Sequence, residues 1–295
     1  MQTHEPGPDR ARRGTLIAVH AHPDDECIPT GGILARYAAE GARTVLVTCT
    51  GGEVGEISDP ALASPANLAE VRARELAESV RILRIARAVQ LGYRDSGMAG
   101  TADNDNDASF HRADLEEATG RVVRVMREER PVVVVTYDEN GGYGHPDHIK
   151  AHQVAVAAFH AAGDPARFPD AGPAWAPTKL YYAVFPRAAM TRFVERLKQA
   201  GIDAPFGPPE GEEERPRMGV DDDRVTTVID VSAYLAQKRA ALAAHRTQMG
   251  PESFFMRPPL ELYGELASRE YFQLVAGQAG AEEDDLFAGL QRAAG

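Results

Sequence analysis

"PVVVVTYD", residues 131–138, is apolar almost without interruption, and a strand of that composition needs both faces covered, as in the interior of a parallel sheet. Three more runs share its texture: "TLIAVHA" (15–21), "RTVLVTCT" (43–50) and "ARAVQLG" (86–92). Between them, "TGGILARYAAEG" ends in a glycine suited to a helix C-cap. The stretches "NLAEVRARELAESVRILRIA" and "ADLEEATGRVVRVMREER" carry apolar residues at three- and four-residue spacing. Strand, helix, strand in sequence requires right-handed crossovers and predicts an α/β, Rossmann-like sandwich with a mostly parallel sheet.

After about residue 163 the texture changes. "GDPARFPDAGPAWAP" and "APFGPPEGEEERPR" are dense in Pro, Gly and acidic residues and read as loops. "KLYYAVF" and "RVTTVIDV" read as strands, "AAMTRFVERLKQAG" and "SAYLAQKRAALAAHRTQ" as helices, before a final "REYFQLVAG". The predicted organisation is a flexible tail (1–14), a core carrying the functional site (15–163) and a C-terminal part (164–295). That last part is expected to complete the sheet, form a smaller lobe and cap the site. No internal repeat is visible.

Composition narrows the function. With 295 residues and 43% apolar content the chain has material for a substantial core. No apolar stretch approaches the roughly 20 residues that span a bilayer, and "MQTHEPGPDRARRG" has no apolar region after it. Neither membrane anchor nor secretion signal is therefore expected, and the cytoplasm is the expected location. Two cysteines, Cys27 and Cys49, are too few for a disulfide framework and should be free thiols. A net charge of -12 argues against nucleic acid, because neutralising phosphates needs a basic face. The expected partner is a small neutral or cationic molecule.

In an open α/β sheet, ligands bind beyond the carboxyl ends of the strands. "AHPDDE" (21–26) leaves the first strand there. Read alone it is a charged turn capping the next helix. About 120 residues downstream, however, "ENGGYGHPDHIKAH" leaves the 131–138 strand at the same edge and delivers His145, Asp147 and His148. Two His/Asp clusters on one sheet edge point to a metal site. His22 and Asp25 are spaced to converge on one cation, with Asp24 pointing elsewhere. Two His and one carboxylate leave positions open for water and substrate, the mark of a catalytic zinc site; iron(II) suits the same donors. His148 and His152 sit at i, i+4 as in HExxH metalloproteases, but Ile149, Lys150 and Ala151 between them supply no glutamate, so His152 is expected to pack rather than ligate.

"AHPDDE" together with "HPDH" resembles the LmbE-like (PIG-L type) zinc-dependent N-deacetylases, and the resemblance runs over essentially the whole chain after the tail. Within that family, "TCTGGEVGEI" (48–57), "RDSGMAGT" (94–101), "VVVTYDENGGYGHPDH" (133–148) and "AALAAHRTQ" (240–248) look like the branch that removes acetate from N-acetylglucosaminyl-inositol in mycothiol synthesis. The resemblance implies an amino-sugar inositol substrate, and zinc bound by His22, Asp25 and His148. It implies Asp24 as general base, His145 facing the developing oxyanion with Asp147 orienting it, and Tyr143 as a mobile donor to the amide carbonyl. Arg72, Asp95 and Met98 are implied at the sugar site, joined by Glu56 from the "GGEVGEI" loop.

Relatives that cleave mycothiol S-conjugates commonly carry a lysine after the first motif; here the segment is "CIPTGG", which favours the deacetylase. The linker before "YRDSGM" is shorter than in the relatives, so the outer rim of the sugar pocket is expected to differ. Cys27 reads as a buried structural thiol, and His245 as a packing or hydrogen-bonding residue. A nucleotide-binding role is disfavoured, since no G-x-G-x-x-G follows the first strand and acidic loops repel phosphate.

Overall fold

The computed structural model describes residues 13–202, 219–280 and 284–290. Nearly all of the predicted tail and the "APFGPPEGEEERPR" loop lie outside the described residues. The core elements alternate as the sequence predicts: β1 (Thr15–His20), α1 (Gly31–Ala39), β2 (Arg43–Thr50), α2 (Leu68–Leu83), β3 (Arg87–Tyr93), α3 (Leu115–Glu129), β4 (Val133–Tyr137) and α4 (Pro146–Ala161). They continue with β5 (Lys179–Val184), α5 (Arg187–Gln199), β6 (Thr227–Asp230), α6 (Leu235–Ala244), α7 (Leu260–Ala267) and β7 (Arg269–Ala276). Helix α7 is an element that the sequence reading did not assign.

All seven strands form one sheet in the order β3-β2-β1-β4-β5-β7-β6. The five strands from β3 to β5 pair in parallel, whereas β7 runs antiparallel to both β5 and β6. Successive side chains of a strand point to opposite faces, so each buried strand feeds two cores. Ile17, Val19 and Val134 join Val123, Met126, Ala151 and Val154 of α3 and α4 on one face. Leu16, Ala18, Val133 and Val135 join Ile33, Leu34, Leu76 and Leu242 of α1, α2 and α6 on the other.

Strand order reverses at β1. From it the chain winds outward through β2 to β3, and from β4 it winds the other way to β5. With Leu16 opposite Val133 and Ala18 opposite Val135, the carboxyl ends of β1 and β4 are neighbours at the topological switch point. The two His/Asp motifs leave those two ends. Among the described residues no helix is long and apolar enough to cross a membrane.

Candidate metal centre

Each motif is shaped by its own side chains. After β1, the His22 N–H donates to Asp25 Oδ2 at 2.7 Å, which folds the "HPDD" turn onto itself. After β4, Asp138 Oδ1 accepts from the N–H groups of Asn140 and Gly142 at 3.1 and 2.8 Å, curling the glycine loop back over α4. Gly141 sits at φ +62°, and a Cβ there would lie 2.5 Å from the Cβ of His148, so glycine alone permits this approach. Helix α4 then opens with His145 as its N-cap, Nδ1 accepting from the Asp147 N–H at 3.1 Å, and with Pro146 at the first helical position.

Donor atoms of three residues converge across the motifs, Asp25 turning one oxygen to each histidine. His22 Nδ1 lies 3.4 Å from Asp25 Oδ2 and 3.3 Å from His148 Nε2, and His148 Nε2 lies 3.3 Å from Asp25 Oδ1. Ligand bonds of about 2.0–2.1 Å in a tetrahedron put donor atoms about 3.3–3.4 Å apart, which the His22 Nδ1–His148 Nε2 and His148 Nε2–Asp25 Oδ1 separations match. Both imidazoles also have their far nitrogens occupied. His148 Nδ1 donates to the Gly141 carbonyl at 3.0 Å, which can only accept, and His22 Nε2 lies 3.2 Å from Asp147 Oδ2. These bonds place the protons on the far side and leave the facing lone pairs for a cation, the usual arrangement around metal-bound histidines. His145 comes within reach of His22 and His148 too. Its Nδ1 lone pair is taken by the Asp147 N–H, so the neutral ring presents Nε2–H as a donor rather than a ligand.

The electrostatics fit the same reading. Burial works against the Asp25 charge, but His148 and His22 hold its carboxyl well below the usual range. Burial opposes charging His22 as well, yet Asp147, Asp25 and Asp95 raise its pKa well above the ordinary value, so without metal this ring is the cation of the cluster. Burial, with His22 and His148 adding to it, pushes His145 down to about 3. The surplus of carboxylates around one imidazole suits a divalent ion.

Asp24 stands apart from the converging donors, at φ +108°. Burial raises its pKa to about 6, against the opposing pull of Arg72. Arg72 donates from Nη2 to the Pro23 carbonyl at 2.5 Å and to Asp24 Oδ2 at 3.2 Å, and from Nη1 to the Gly52 carbonyl at 2.8 Å. From the other side, the Asp24 N–H donates to Glu26 Oε2 at 2.9 Å.

The remaining expected residues divide into two groups. Tyr143 and Met98 are 44% and 50% exposed at the mouth, and Glu56 is exposed on its loop. The Tyr143 ring is centred 5.0 Å from that of His148, and its hydroxyl has no hydrogen-bond partner among the described residues. Asp95 and Arg72 are buried, Asp95 accepting from the Gly97 N–H at 2.8 Å and lying 3.5 Å from His22 Nε2. The expected link between Asp147 and His145 runs through the Asp147 backbone. The Asp147 carboxylate does not reach His145; it accepts from Ser96 N–H and Oγ–H and meets His22, while only the Asp147 backbone touches His145. The reason is helical: Asp147 lies in the first turn of α4, where its side chain points across to the β1 loop and its N–H faces the N-cap.

His152 bonds the Tyr137 carbonyl at 2.9 Å and packs on Tyr182, and Cys27 is buried. Two residues that sequence reasoning did not single out are Tyr137, bonded to Asp25, and Glu26, which meets His245 at 2.8 Å. Beside Asp24, Asp25, Tyr143 and His148 opens a cavity of about 380 Å³ that Phe185, Met190, Phe193 and Tyr263 also line.

Residues 17–159 match the family model PIG-L, described as GlcNAc-PI de-N-acetylase. The chain is 47% identical to a 1D-myo-inositol 2-acetamido-2-deoxy-alpha-D-glucopyranoside deacetylase 1 of Catenulispora acidiphila, over 96% of this chain and 91% of that protein. It is 45% identical to a deacetylase of the same substrate name from Geodermatophilus obscurus, over 93% and 97%. In fold it resembles the N,N'-diacetylchitobiose deacetylase of Pyrococcus horikoshii, with a TM-score of 0.62 at 20% identity, covering 92% of this chain and 86% of that one. A hydratase from Pseudomonas putida, GalB, shares the fold equally well at TM-score 0.60 and 19% identity, covering 91% and 99%. Fold likeness at that distance therefore leaves the reaction to be argued from the site.

Proposed function

Because the chain belongs to the GlcNAc-PI de-N-acetylase (PIG-L) family and is a deacetylase, a metal-dependent amidohydrolase, we propose that it hydrolyses the acetamide of 1D-myo-inositol 2-acetamido-2-deoxy-alpha-D-glucopyranoside. The products are glucosaminyl-inositol and acetate, a step of mycothiol synthesis. The observation that carries the reading is the convergence of His22, Asp25 and His148, with atom separations that match a tetrahedral ion site, on a cavity that Asp24 also lines.

His22, Asp25 and His148 are the proposed ligands and zinc the proposed ion; bound there, zinc polarises the amide carbonyl and lowers the pKa of its water to about 7. Every other task falls to the chain. Asp24, ionised above a pKa of about 6 and anchored by Arg72, accepts the proton of the attacking water and delivers it to the departing nitrogen. His145 presents its Nε2–H to the oxygen on which charge develops, a donor fixed in place by the Asp147 backbone. Tyr143 adds its hydroxyl from the glycine loop, between Gly142 and Gly144, which both take positive φ. Met98 and Glu56, on exposed loops, are the proposed sugar contacts; Asp95 and Arg72 are proposed to reach the sugar from behind, Asp95 beside His22 and Arg72 beside Asp24.

Chelator-stripped protein should release no amine from this acetamide, and added zinc should restore release in the wild type but not in His148→Ala. Absence of release from folded, zinc-loaded protein would move the substrate to another amide. Replacing His145 with alanine should leave zinc content unchanged and lower kcat about 10²–10³-fold, the usual loss for one oxyanion donor. Wild-type kcat in that variant would remove His145 from the mechanism.

A further inference from the structure

Tyr137 closes β4 with its ring buried against the metal-centre histidines. The hydroxyl accepts from the Ala21 N–H at 2.9 Å and donates to Asp25 Oδ2 at 2.6 Å. Since a phenol has a single proton and the Ala21 N–H can only donate, that proton is committed to Asp25. The ring stacks on His148, with centroids 4.3 Å apart and planes 18° from parallel. One side chain thus grips two of the three converging donors and the backbone of the loop that carries the third, His22. Asp25 Oδ2 receives two hydrogen bonds, from Tyr137 Oη and His22 N, while Oδ1 faces His148 Nε2.

We propose that Tyr137 is a positioning residue of the metal centre, holding the Asp25 carboxylate and the His148 ring in the geometry that binds the ion. The inference rests on the ligand set argued above. Ring packing alone would account for a Tyr or Phe here, but it does not account for a buried hydroxyl donating to a metal-facing carboxylate. Such outer partners of metal ligands typically govern affinity by 10–100-fold.

The test is zinc affinity, measured by competition with a chromophoric chelator, for wild type, Tyr137→Phe, Asp25→Asn and the double variant. Phenylalanine keeps the stack and removes only the hydroxyl. Tyr137→Phe should bind zinc 10–100-fold more weakly, and in the Asp25→Asn background the same change should cost less than threefold, because its route to the ion is already gone. The substitution also leaves the Ala21 N–H unpaired, so a lower Tm is expected; should the variant be partly unfolded at 25 °C, the zinc-induced rise in Tm at low temperature ramp gives the same comparison. Zinc affinity within twofold of wild type, with only Tm lowered, would reduce Tyr137 to a packing residue and overturn the proposal. Failure of the wild type itself to bind one zinc in a His148-dependent manner would instead overturn the ligand set, leaving the two failures distinct.

Discussion

Asp24→Asn is expected to bind zinc as the wild type does and to turn over about 10³–10⁴-fold more slowly, the upper part of the range for loss of a general base. The carboxamide has the shape of the carboxylate and its oxygen still accepts from Arg72, so the turn and the neighbouring donors are undisturbed. What is lost is the capacity to take a proton. Asp24 is suited to that task because burial lifts its pKa to about 6 while Arg72 restrains the rise. A base so poised is ionised at neutral pH and still basic enough to share a proton in the transition state. Turnover near wild type in a zinc-loaded variant would assign the proton transfer to another group, with His145 next in line. Loss of zinc in the variant would instead make Asp24 a ligand.

Much of this site was legible because its chemistry falls where the fold is most regular. The apolar runs of β1 and β4 fix two parallel strands, and the side chains that follow each run arrive at one edge whatever the loops do. Histidine and aspartate at a strand end are conspicuous. Tyr137 was not, since a tyrosine ending an apolar run reads as core, and only the 2.6 Å contact with Asp25 across 112 residues separates it from one. Glu26 is inconspicuous for a similar reason: its partners Ser79 in α2 and His245 just after α6 are distant in sequence, and spacing carries no trace of them. Direction of the late strands was equally unwritten. Apolar alternation marks β7 as a strand but is the same for parallel and antiparallel pairing, and its place between β5 and β6 depends on register with Val184 and Thr227. Helix α7 is eight residues long and follows two prolines, too short for helical periodicity to stand out. Adjacency in "HPDH" suggests that Asp147 orients His145, and its backbone N–H does bond that ring, but the helix turns the carboxylate to Ser96 and His22, which spacing does not reveal.

Glu26→Ala should be the most damaging change outside the converging donors, costing about 3–5 kcal/mol of stability, the range for stripping one partner from a buried ion pair. Both side chains of the Glu26–His245 pair are fully buried. Burial pushes Glu26 up, but His245, Ser79 and the Asp24 N–H hold it down to about 2; burial opposes charging His245, but Glu26, with Asp24, raises it above its ordinary value. Glu26 Oε1 accepts from His245 Nε2 at 2.8 Å and Ser79 Oγ at 2.5 Å, while Oε2 accepts from the Asp24 N–H. Removing the carboxylate strands His245 without a counter-charge and frees Asp24 from the bond that secures its φ of +108°, a conformation L-residues seldom keep unless it is over-determined. At this chain length the stability loss corresponds to a fall in Tm of about 10 °C, taking roughly 2–4 °C per kcal/mol. Adding His245→Ala should restore part of the loss, since much of the cost is the unpaired partner and not the absent bond. The folded fraction of Glu26→Ala should bind zinc normally with kcat reduced and KM little changed, because the altered group is the base and not the sugar pocket. A fall in Tm below about 3 °C would show that the pair is dispensable to the fold, and unchanged kcat in the folded protein would show that Asp24 keeps its posture without Glu26.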